Sequence, residues 1–90
     1  MKYVLVYETD PDEVAAKAAE LFPAHQARWH EFRESGSLLL IGPFTDRTGA
    51  MAVFTTRTAA EEFAAGDPFV LHGLVRNWHI REWLEAIATP

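Results

Sequence analysis

The chain has 90 residues, with 49% hydrophobic and 23% charged side chains and a net charge of −5. That length and balance fit one globular domain over 1–90. The eight basic residues are scattered among thirteen acidic ones, which argues against a nucleic-acid or anionic membrane surface, since both need clustered positive charge. There is no cysteine, hence no disulfide framework, thiol nucleophile or thiolate metal site.

Residues 2–8 predict a first strand, rich in β-branched and aromatic side chains. Met1-Lys2 leads directly into this alternating run rather than into the apolar core of a signal peptide. No stretch approaches the roughly 20 apolar residues of a membrane span. The expectation is a soluble cytoplasmic protein. A helix start follows at Asp10-Pro11-Asp12-Glu13, with Asp10 as cap, Pro11 at the first helical position and Glu13 at the capping-box position. Val14, Ala18, Leu21, Phe22, Trp29 and Phe32 then recur at helical spacing and predict a buried stripe. His25 falls on that stripe, and a titratable group there needs a partner or a purpose. Pro23 predicts a break or kink, with a restart that places His25 in a new first turn and continues to Glu34. Ser35-Gly36 ends the helix.

Residues 37–42 predict a second strand, stopped by Gly42-Pro43, and residues 44–49 a polar loop. A third strand is expected over 49–56. Thr58-Ala59-Ala60-Glu61 reads as a capping box opening a short helix that Gly66 ends. Asp67-Pro68-Phe69 opens one more turn, through Leu71. Residues 75–83 predict a fourth strand, and the tail to Pro90 reads as either a helical turn or irregular chain.

The order βαββαβ with right-handed crossovers gives an α+β, ferredoxin-like sandwich: a four-stranded antiparallel sheet with helices on one face. The first strand places Tyr3, Leu5 and Tyr7 on one face and Val4 and Val6 on the other. Both faces are apolar, and two short helices cover only one. A homodimer packed sheet to sheet is expected.

Four histidines are present, His25, His30, His72 and His79. His25 and His30 diverge by more than about 100° around a helix and make no metal pair. His30, His72 and His79 read as surface or rim residues. Trp29, Trp78 and Trp83 read as core and interface, or as the wall of an aromatic-binding cleft. Asp67 alone is an ordinary helix cap. A His25–Asp67 pair would be different, because a carboxylate on one ring nitrogen fixes the tautomer and leaves the other nitrogen to act as acid or base. Such a pair requires both residues at the same end of the sheet. No metal or cofactor is implied by these residues.

Pro23-Ala24-His25-Gln26-Ala27-Arg28, Gly36-Ser37-Leu38, Gly42-Pro43, Gly49 and Asp67-Pro68-Phe69 with Gly73-Leu74-Val75, taken in order, resemble the YciI-like family of YCII-related domains over essentially the whole chain. The resemblance implies a dimeric α/β barrel and a His–Asp active site, falling on His25 and Asp67. Most members of that family have no assigned reaction, and one similar enzyme type eliminates chloride from a chlorinated hydroxyhydroquinone. The short loop before Gly49 departs from many relatives, so the substrate class does not transfer. Three functions stay open: a lyase- or isomerase-type enzyme with His25 as general acid/base, acting on a small aromatic or enol-forming molecule; a non-catalytic dimeric ligand-binding or interaction module in which the pair is a structural bond; and, ranked last because it would need a haem or other redox site, an oxygenase.

Overall fold

The computed structural model describes residues 1–87. In chain order the elements are β1 (Lys2–Thr9), α1 (Pro11–Glu34), β2 (Leu38–Pro43), β3 (Gly49–Phe54), α2 (Arg57–Gly66), α3 (Pro68–Leu71) and β4 (Val75–Trp83). The strands form one sheet in the order β2-β3-β1-β4, with antiparallel pairing throughout. This is the ferredoxin-like arrangement expected from βαββαβ.

Register separates the two faces. Tyr3, Leu5 and Tyr7 lie opposite Phe54, Ala52 and Ala50. Leu5, Tyr7, Ala52 and Phe54 are buried against Phe63 and Ala64 of α2, and Phe32 of α1 meets Phe54 and Phe63 edge-on. On the other face, Val4 and Val6 lie opposite Val53 and Met51 on one side and Arg81 and His79 on the other. Among the described residues no helix covers that face; Val53 is buried there between its neighbours, but Leu40, Met51 and Trp83 are exposed.

Helix α1 runs unbroken through Pro23, which corrects the expected break and restart. Proline removes one hydrogen bond, the one to the carbonyl of Ala19. Both residues lie on the exposed side, where water can take that carbonyl, and long helical arms flank the site. His25 is therefore a mid-helix residue. The capping of α1 is as expected at Asp10, whose Oδ1 accepts from the amides of Asp12 and Glu13. Glu13 does not serve as a capping-box side chain but accepts a bond from Arg76 at 2.9 Å. In α2 the cap is Thr56, in extended conformation and accepting from Ala59 N, rather than Thr58, which sits inside the first turn. The third strand accordingly ends at Phe54. Residues 84–87 carry no helical turn, and the rest of the tail expectation, 88–90, lies outside the described residues.

The stripe of α1 is less covered than its spacing suggests. His25 is the only buried residue in this helix; Val14, Ala18, Leu21, Trp29 and Phe32 are half-buried. Phe22 remains 44% exposed. The helix stands off the β2 end of the sheet and leaves a cleft along its apolar face.

Candidate active site

Asp67 is placed by the junction of two helices. Helix α2 ends at Gly66, and Asp67 caps α3, its Oδ1 accepting from Phe69 N at 3.1 Å. Its side chain is fully buried. A buried carboxylate requires donors on both oxygens, and two side chains supply them. His25 Nδ1–H donates to Oδ1 at 2.7 Å, and the Tyr7 hydroxyl donates to Oδ2 at 2.7 Å. The cap and the His–Asp pair are thus the same carboxylate, serving both purposes.

Three elements converge on this point: β1 brings Tyr7, α1 brings His25, and the α2–α3 junction brings Asp67. Burial, and after it the Asp67 carboxylate, push the Tyr7 phenol far above the ordinary tyrosine range, against a smaller opposing effect of Arg28. Tyr7 therefore remains a donor. With Asp67 accepting on both oxygens, the His25 tautomer is fixed with its proton on Nδ1. The imidazole is also held in plane. Phe69 stacks on it at 3.9 Å and 11°, and Phe63 meets it edge-on at 6.1 Å.

Arg28 ties α1 to the end of α2. It reaches from α1 to the last turn of α2 and donates to the carbonyls of Phe63 and Glu62, with its guanidinium over the rings of Phe32 and Phe63. Gly66 leaves the space this needs, since a Cβ there would overlap the guanidinium. Gly49 is similar at the other strand: a Cβ would run into the carbonyl of Tyr7, so β3 and β1 approach closely where Tyr7 is held.

The cleft beside α1 has a volume of about 610 Å³ and includes His25, Phe22, Trp29, Ile41 and Ala52 among its walls. Every buried side-chain nitrogen or oxygen among the described residues has a partner. With Nδ1 committed to Asp67, Nε2 is the His25 atom left for a molecule in the cleft. A polarised base at the wall of an apolar cavity can take a proton from a bound molecule and return it elsewhere.

The two residues expected to pair are therefore brought together. His30, His72 and His79 are exposed, as expected. The tryptophans divide: Trp29 walls the cleft, Trp78 packs on the core, and Trp83 is exposed on the open sheet face. Tyr7 was not among the expected site residues. Its signal was present, in a tyrosine on the inward face of β1 whose hydroxyl had to find a partner. Among the described residues no helix is long and apolar enough to cross a membrane.

Comparison with known proteins places this architecture. A solved structure of 5-chloro-2-hydroxyhydroquinone dehydrochlorinase (TftG) from Burkholderia phenoliruptrix AC1100, in complex with 2,5-dihydroxybenzoquinone, is similar with a TM-score of 0.75 and 18% identity. The match covers 96% of each chain. At that identity the likeness is one of fold. No curated protein matches the chain. The sequence pattern of the YCII-related domain matches residues 1–84, and the chain belongs to that family.

Proposed function

We propose that the protein is a small-molecule enzyme of lyase or isomerase type, with His25 as general acid/base and Asp67 as its orienting partner. The observation that carries this is the bond from His25 Nδ1 to a fully buried Asp67, in an imidazole that lines an apolar cleft. Nε2 takes a proton from an acidic O–H or C–H of the bound molecule. The electron pair left behind forms a new double bond. In a lyase an anion then departs; in an isomerase the proton returns at another atom. Asp67 stabilises the imidazolium between the two steps, and Tyr7 holds Asp67. Such proton transfer contributes about 10²–10⁴-fold in rate. The dehydrochlorinase activity named for the structural neighbour supports the lyase class, and its hydroxylated ring supports an aromatic or enol-forming substrate.

The functional unit is a homodimer joined through the open sheet face. Leu40, Met51 and Trp83 are exposed there, at 67%, 38% and 48%. A second copy of the same face would bury them.

The competing reading is a ligand-binding module in which the pair is purely structural, and the full set of donors on Asp67 favours it to that extent. A screen of aromatic and enolisable compounds, with product detected by mass, separates the two. Product formed by the wild type and lost in His25→Ala supports the enzyme. Turnover that survives intact in His25→Ala removes His25 from the chemistry. Loss of fold or of dimer in His25→Ala, with a ligand bound by the wild type and never converted, favours the module.

A further inference from the structure

His25, Trp29 and Arg33 are spaced four residues apart and form one ridge of α1. All three line the cleft. Among the described residues Arg33 is the one permanently charged residue on that wall, and no carboxylate side chain lines it. Arg33 is exposed, and among the described residues no acidic side chain forms an ion pair with it, as none does with Arg28, Arg47 or Arg81, whereas Arg57 and Arg76 are paired with acids. The carbonyl end of α1 accounts for a cation in the last turn. It does not account for a cation on the wall of an apolar cleft in which every other charged side chain is missing.

We infer that Arg33 is an anion-binding residue that selects small carboxylic acids with a flat apolar body, their carboxylate on the guanidinium and their reacting end at His25. This rests on the reading of the cleft as the site served by His25. The guanidinium fork matches the two oxygens of a carboxylate. The Trp29 indole lies between the two polar ends of the ridge and offers an apolar face to a ring. Eight helical residues separate the Cα atoms of His25 and Arg33 by about 12 Å. Helical side chains lean the same way along the axis, so much of that separation carries over to their tips. Hydrogen bonds of about 3 Å at each end leave roughly 6 Å for the occupant, which is the scale of a ring with its substituents. A molecule without the anion would fill the same space and leave the guanidinium to water.

The test is calorimetric titration at neutral pH with 2-naphthoate and its uncharged counterpart 2-naphthamide, on wild type, Arg33→Met, Arg33→Lys and His25→Gln. The acid is expected to bind the wild type at least about tenfold more tightly than the amide. His25→Gln keeps that preference, Arg33→Lys keeps part of it, and Arg33→Met abolishes it. Equal affinities in the wild type, an undiminished preference in Arg33→Met, or no binding of either compound overturns the inference. No turnover is read, so a His25 that proves non-catalytic leaves this result unaffected. Likewise, a catalytic His25 does not rescue an Arg33 that ignores charge.

Discussion

The Tyr7 hydroxyl and the Asp67 carboxylate, sixty residues apart in the chain, meet at 2.7 Å in the core. This contact makes β1 part of the candidate site and gives the second Asp67 oxygen its donor. Remove it and the carboxylate keeps its cap and its histidine but has one oxygen buried without a partner.

Tyr7→Phe is therefore expected to destabilise the fold by about 1–3 kcal/mol, measured by denaturant unfolding. The same residue predicts an alkaline limit. Its phenol is raised in the folded state, so below the unfolded-state value near 10 both states are protonated and stability is unaffected. Above that value the unfolded chain releases a proton that the folded chain retains. Stability then falls as pH rises, by about 1.4 kcal/mol per pH unit from this group. Tyr7→Phe, though less stable at neutral pH, should lose this component of the alkaline slope. An unchanged slope in the variant would remove Tyr7 as its cause.

Arg28 and Gly66 are expected to be energetically coupled. In the wild type, Gly66→Ala forces the guanidinium off the carbonyls of Glu62 and Phe63 and should cost about 1–3 kcal/mol. In an Arg28→Ala background the same change meets no obstacle. There it should be neutral or stabilising, by up to about 1 kcal/mol, because alanine is the better helix residue. A double-mutant cycle of unfolding free energies reads the sign change. Additive effects would mean that Arg28 does not hold the α2–α3 junction.

The open sheet face should carry self-association. Met51→Glu places a charge on that face, next to Val6 in register, without entering the helix-covered core. Sedimentation equilibrium is expected to show a dimer for the wild type and a folded monomer for Met51→Glu. A dimer that tolerates the charge would move the interface elsewhere.

Much of this was legible in the sequence, and the remainder was not for identifiable reasons. Strand and helix order followed from period and punctuation, and with it the sheet order, because few connections satisfy the handedness rule. His25 was conspicuous as a polar residue on an apolar stripe. Asp67 was not, since Asp-Pro is an ordinary cap; the residues allowed the pair, and the family resemblance strengthened it. Pro23 misled because a local rule predicts a break where an exposed position in a long helix tolerates the proline. Thr56 was passed over for Thr58 because the motif matches at both the box spacing and a plain cap. Tyr7 was assigned to the correct face of β1, yet nothing local identifies which buried group its hydroxyl meets. The cleft was invisible for the same kind of reason. How far α1 stands off β2 depends on packing between segments distant in the chain, which no local pattern reports.

The measurement that bears most directly on the central claim is the single-turnover rate of His25→Gln with a substrate identified by product detection, alongside its dissociation constant. Glutamine retains much of the size and polarity of the imidazole but cannot exchange a proton at neutral pH. If His25 is the acid/base, the rate falls by at least about 10²-fold while the dissociation constant stays near that of the wild type. A rate within a few-fold of the wild type, in a folded variant that binds normally, would contradict it.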